Sequence, residues 1–295
     1  MSEPVQRSLP GHIAAALAAA GGAADSADQP WQGRTLGAER KYHNFEDDDG
    51  ATDAGYAAAL AALSARTGDE AAVVHSLASA RVFVPILAQV ARAHVVSNGL
   101  ASDKESDMAL VTLTAPDGRR ALPVFTSTEN LTRWNPQARP VAVYAPRAAL
   151  SAVAEEAQLM VVDPAAPQTF VLRRPAVWAL ARQQRWLPSY ADPQIASALA
   201  GSMAALGHPA LLGIRAEPGA GIVSADHEGN TSPGGGAGPE LRVQLTLAPG
   251  LDQDALNALI GELELLWSRN EYFAESVDSV EVRLQAAAST DRPAR

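Results

Sequence analysis

The chain contains two kinds of strand that one sheet would not serve. "RVFVPILAQV" (81–90) is a continuous apolar run, long enough for a buried strand. "LRVQLTL" (241–247) and "VEVRL" (280–284) alternate apolar and polar residues at every step. A strand that is apolar throughout is covered on both faces, whereas an alternating one keeps a wet face. The change of style predicts two folding units divided near residues 187–193.

Charge changes at the same place. Of the net charge of −10, residues 1–186 carry −2 and residues 187–295 carry −8. The expected organisation is a flexible arm (1–38), an α+β domain (39–188), an acidic α+β domain (189–286) and a disordered tail (287–295). The 295 residues are enough for both cores.

In the first domain "ATDAGYAAALAALSART" (51–67) and "GDEAAVVHSLASA" (68–80) read as alanine-rich helices separated by Gly68. "DKESDMALVTLTAPDGRRALPVF" (103–125) reads as two strands joined at "APDG", whose Pro116, Asp117 and Gly118 are turn formers. "TSTENLTRW" (126–134) is a short helix with capping-box spacing between Thr126 and Glu129. "ARPVAVYAP" (138–146) and "LMVVDP" (159–164) are strands around the helix "PRAALSAVAEEAQ" (146–158). "QTFVLRRPAVWALARQQRW" (168–186) is a strand turning into a helix at Pro175, with Arg182 and Arg185 in its last turn. This gives a mixed sheet with flanking helices.

In the second domain "DQDALNALIGELELLWSRN" places Leu256, Leu259, Ile260, Leu263 and Trp267 on one helical face. With the helix "PQIASALAGSMAALG", it predicts a small antiparallel sheet with two helices on one side.

Composition excludes several classes of function. There is no cysteine, hence no disulfide, thiolate metal site or cysteine nucleophile, and the chain fits a reducing cytoplasm. Net negative charge disfavours nucleic acid and anionic lipid. No segment approaches the roughly 20 apolar residues that span a bilayer. The start, "MSEPVQRSLPGHIAAALAAAGGAADSA", has Glu3 offsetting Arg7 and a short alanine run, so a loose amphipathic arm is expected in place of a signal peptide.

"HIAAALAAAGGAADSADQPWQGR", "FEDDDGATD" before the two alanine-rich helices, "DKESDMALVTLTAPDGRRALPVFTS" and "RRPAVWALA" resemble, in order and spacing, the N-terminal domain of the SseB family in its actinobacterial form. The resemblance covers about residues 9–190, and the acidic second domain is similar to the C-terminal part of the same proteins. The family name refers to enhanced serine sensitivity. The resemblance implies no catalytic residues to transfer. A link to type III secretion rests only on a shared name, since the chain has no translocator-like coiled coil or apolar hairpin.

The motifs that carry chemistry are weak. Asp103, Glu105 and Asp107 alternate, so an extended chain would place them on one face. They could hold a hard cation or act as an acid–base pair, with Lys104 ion-paired among them. The structural alternative makes Asp107 an anion beside the helix of residues 126–134. That follows if the "APDG" hairpin pairs Ala115 with Arg119 and continues through Leu110 opposite Val124.

"FEDDDGATD" (45–53) fails as an EF-hand because Phe45 and Tyr56 occupy the first and twelfth loop positions. It reads instead as a turn and helix start, with Asp53 or Thr52 as N-cap. The glycine-rich "GNTSPGGGAGPE" (229–240) lacks the features of a phosphate loop, and the six histidines are scattered. Trp31 and Arg34, in "PWQGR", form the kind of pair that dominates protein interfaces. The leading expectation is a non-enzymatic cytoplasmic interaction or regulatory module with an unknown protein partner and no cofactor. The runner-up is an enzyme using Asp103, Glu105 and Asp107.

Overall fold

The computed structural model describes residues 45, 48–88, 108–115, 117–225, 231–233 and 238–287. The chain divides into two compact units, Met1–Asp49 with Ala88–Ala109, and Gly50–Leu87 with Leu110–Arg295. In the first, the Asp48 N–H donates to the Phe45 carbonyl at 3.1 Å. The second unit is α+β and contains two large hydrophobic cores.

Two helices open it, α1 (Ala54–Ser64) and α2 (Glu70–Leu77). Asp53 and Asp69 start them, each accepting a hydrogen bond from the backbone N–H three residues on, at 2.9 and 2.8 Å. Strand β1 (Arg81–Ala88) follows, then β2 (Met108–Leu110), β3 (Leu113–Thr114), β4 (Arg120–Val124), α3 (Thr128–Trp134) and β5 (Arg139–Tyr144). Next come α4 (Ala145–Ala154), β6 (Leu159–Val162), β7 (Phe170–Leu172) and α5 (Arg174–Ala181). A proline in the first turn of α4 and of α5 fits the positions where no helical N–H is needed.

The strands form two sheets, ordered β3–β4–β6–β7 and β2–β1–β5. The first is mixed, since β4 and β6 run parallel while the outer pairs are antiparallel. Its Leu122, Val124, Met160, Val162, Phe170 and Leu172 point into the first core, against alanines of α4 and α5. These small residues let helices approach the sheet closely.

The hairpin turn forms as the sequence implies, with Ala115 N–H donating to Arg119 O at 2.8 Å. The ladder then stops after Leu113 opposite Ala121, and Leu110 lies in the sheet of β1 and β5. Continuing the register would make Val111 and Pro123 the next hydrogen-bonded pair, and proline has no N–H to give. Phe83 of β1 takes over the β4 edge at Phe125, exchanging two backbone bonds of 2.7 and 2.8 Å. The expected pairing of Leu110 with Val124 is therefore replaced.

Two local expectations shift similarly. The side-chain cap of α3 is Ser127, accepting from Asn130 N–H at 3.1 Å, and not Thr126. Helix α5 ends at Ala181, so Arg182 is its C-cap and Arg185 lies beyond it.

The second core is built by α6 (Pro193–Leu206), β8 (Leu211–Pro218), β11 (Leu241–Leu247), α7 (Gln253–Arg269), the short α8 (Glu271–Ser276) and β12 (Val280–Ala286). β9 (Val223–Ala225) and β10 (Thr231–Pro233) form a separate two-stranded antiparallel sheet. Asp192, Asp252 and Asn270 cap the three helices, and Gly207 ends α6 in the left-handed conformation at φ 59°. Along β11 buried residues alternate with half-buried ones, as its sequence demands.

The sheet order is β12–β11–β8, and here the expected antiparallel sheet is corrected. β11 pairs antiparallel with β8 but parallel with β12, in register Val243 with Val282. The reason is the connection: α7 and α8 carry the chain back along the sheet, as a parallel crossover requires. Among the described residues no helix is long and apolar enough to cross a membrane.

Candidate functional site

Period-two alternation gives the β3–β4–β6–β7 sheet a second face. Leu113, Ala121, Leu159, Val161 and Val171 point away from the first core and floor a cleft of about 570 Å³. Its opposite wall is Gly238, Pro239, Asp278 and Ser279, from around β11 and β12. Leu113, Val161 and Val171 remain half-buried.

The rim is charged. Asp278, with a side chain only 3% exposed, holds two guanidinium groups. Arg173 Nη1 donates to Asp278 Oδ2 at 3.1 Å and to Ser279 Oγ at 3.3 Å, and Nη2 donates to the Gly221 carbonyl at 2.8 Å. Arg119 Nη1 reaches both Asp278 oxygens at 3.0 and 2.9 Å, while its Nε donates to Asp117 at 2.7 Å. Arg174 Nη2 donates to the Ala274 and Val277 carbonyls at 2.8 and 2.9 Å, where cations suit the end of α8.

Behind Asp278 lies Glu240, also buried. Its oxygens accept from the Ser189 and Asp278 N–H groups, both at 3.1 Å. Burial pushes the Glu240 carboxyl above the usual carboxylate range, against the pull of those two donors. Gly221 closes the knot: a Cβ there would lie 2.2 Å from the Gly238 carbonyl oxygen and 2.8 Å from Arg173 Nη2. A second link joins the two cores on another side, where Tyr190 Oη donates to Glu70 Oε2 at 2.8 Å.

A separate polar cluster surrounds the start of α3. Asp163 Oδ1 accepts from Thr126 N–H at 2.8 Å and Oδ2 from Thr126 Oγ1 at 2.5 Å. Thr126 Oγ1 also lies 2.9 Å from Thr52 Oγ1, and Arg81 Nη1 donates to the Thr126 carbonyl at 2.5 Å. Burial raises the Asp163 carboxyl, opposed by the bonds from Thr126 and Asn130 and by the Arg133 charge. Asp163 is thus a carboxylate beside this helix start, brought there by the β4–β6 pairing, and Glu129 lies in the first turn of the helix.

The ionisable side chains of the cleft (Asp117, Arg119, Arg173 and Asp278) are engaged with one another, and the Ser279 hydroxyl donates to Asp278 Oδ2 at 3.2 Å. Among the described residues no group of three His, Asp or Glu could hold a metal ion. Asp103, Lys104, Glu105 and Asp107 lie outside the described residues, as do Trp31 and Arg34.

Sequence reasoning missed Arg173, Arg174, Glu240 and Asp278. One signal was available. Two adjacent arginines before Pro175 sit at the start of a helix, where the backbone disfavours cations, so they need partners elsewhere.

Residues 57–179 match the family model described as SseB protein N-terminal domain. No curated protein and no solved structure matches the chain. The floor of the cleft, Arg119 and Arg173 fall inside the matched segment, while the opposite wall falls outside it.

Proposed function

We propose that this chain, whose residues 57–179 match the SseB protein N-terminal domain, is a protein-interaction module and not an enzyme. Its cleft takes a short apolar segment of a partner protein, in the reducing cytoplasm that a cysteine-free chain fits. One observation carries this reading: the second face of the β3–β4–β6–β7 sheet is apolar, while the charges around it are already neutralised in ion pairs. Desolvating Leu113, Val161 and Val171 favours association, at roughly 25 cal/mol per Å² of apolar surface covered before ordering costs. The volume falls within the ~300–1,000 Å³ typical of ligand sites.

Selection of displayed peptides against the full chain tests it. The expected outcome is enrichment of segments with apolar anchors, and at least about tenfold weaker binding by Val161→Asp and Val171→Asp variants of unchanged fold. Leu150→Asp, at an exposed position of α4, should bind normally. Selected peptides indifferent to the floor substitutions would overturn the proposal.

A further inference from the structure

Strand β12 is an edge of its sheet and, among the described residues, no strand pairs with its outer side. Because Leu241 N–H donates to the Ser279 carbonyl and Ala287 N–H to the Leu247 carbonyl, odd-numbered residues of β12 bond inward. The N–H and C=O groups of Val280, Val282 and Leu284 therefore face outward, the arrangement that invites another strand. The strand has no proline, no lysine and no bulge, and Val280 and Leu284 are 36% and 47% exposed.

We propose that two copies of this chain pair antiparallel through β12, with a two-fold axis at Val282, joining two three-stranded sheets into one. The register follows from charge. A two-fold axis perpendicular to the sheet keeps each side chain on its own face, so only a residue can lie on the axis, not a peptide between residues. An axis at Glu281 sets two carboxylates opposite each other, and an axis at Arg283 sets two guanidinium groups opposite each other; both are unfavourable. An axis at Leu284 places Arg283 opposite Gln285 and leaves the charges unmatched. An axis at Val282 places Glu281 opposite Arg283 of the second copy, twice by symmetry.

The neighbouring rows agree. Within one copy Glu281 already accepts from Arg242 Nε at 2.8 Å and lies 3.4 Å from Arg283 Nη2. The proposed row then reads Arg242, Glu281, Arg283, Gln244 across the joined sheet, with charges alternating in sign.

On the other face, Leu284 of the second copy comes opposite Val280. Beside Val280 lies a groove of about 460 Å³, lined by apolar Ile260, Phe273, Val277 and Val282 among others. The exposed leucine of each copy thus gains an apolar seat on the other, which neither has alone. Val282 pairs with its own mate by exchanging two backbone bonds, and Val280 and Leu284 supply the rest of the ladder.

The absence of cysteine makes the test direct. In a hydrogen-bonded antiparallel pair the Cα atoms lie about 5.5 Å apart, within disulfide range. Val282→Cys in the full chain should oxidise to a covalent dimer, while Leu284→Cys, four residues out of register with its mate, should not. Analytical ultracentrifugation of the wild type should show a monomer–dimer equilibrium. Arg283→Glu, at an exposed position, should raise its dissociation constant roughly tenfold or more, since two pairs become repulsive. A wild type that stays monomeric at all concentrations overturns the proposal, even if the edge pairs with another protein's strand. So does a dimer unaffected by Arg283→Glu. Cross-linking of the Leu284→Cys variant in preference to the Val282→Cys variant overturns the register.

Discussion

Arg173, beside the first core, and Asp278, beside the second, meet as a buried ion pair at 3.1 Å, with side chains 7% and 3% exposed. Asp278→Ala strips the buried Arg173 of its carboxylate, at a cost of about 3–5 kcal/mol in chemical denaturation, whereas Arg173→Ala leaves Asp278 paired with Arg119 and should cost less. The double variant should lose less than the sum of the singles, because the shared interaction is counted in both. Strict additivity would show that the pair is not coupled.

The two cores are linked by few polar residues, which makes their separability testable. We expect residues 39–188, expressed alone, to melt cooperatively. Trp186 packs on the first core, and Arg173, freed of Asp278, becomes solvated in the fragment. An insoluble or non-cooperative fragment would show that the second core is needed to fold the first.

Gly221 and Gly261 should respond oppositely to alanine. At Gly221 the new Cβ meets the backbone of Gly238, which cannot swing aside, so Gly221→Ala should cost at least ~1–3 kcal/mol. At Gly261, within α7, a Cβ meets nothing within 4 Å, and Gly261→Ala should add about 0.4–1 kcal/mol. Paired thermal melts check both signs.

Asp163 makes stability depend on pH in a defined sense. Its folded pKa is raised, so its contribution is fully present below the ordinary Asp range and is lost as pH rises through the folded value. Asp163→Asn removes the buried charge and keeps an acceptor for Thr126 N–H. The melting temperature of the variant minus that of the wild type should therefore grow from about pH 4 toward neutrality. A flat or falling difference would mean that the bonds to the ionised carboxylate outweigh its burial.

Local chemistry made much of this fold legible. Asp53 caps α1 because its side chain reaches Tyr56 N–H, a matter of three residues. "LRVQLTL" alternates in the structure because period two is a property of the strand itself. The "APDG" turn closes between Ala115 and Arg119 for reasons held within five residues.

Choices between distant partners were not legible in the same way. Pro123 ends one ladder, but only the folded chain decides that Phe83 takes its place. The helices after β11 could have returned either way, and the crossover made β12 parallel. Arg173 and Asp278 are 105 residues apart. Nothing local marks them as a pair, because the strength of a buried ion pair comes from the low-dielectric surroundings that assembly creates. The sequence determined the elements and their wet and dry faces, whereas tertiary structure decided which faces met and where the cleft opened.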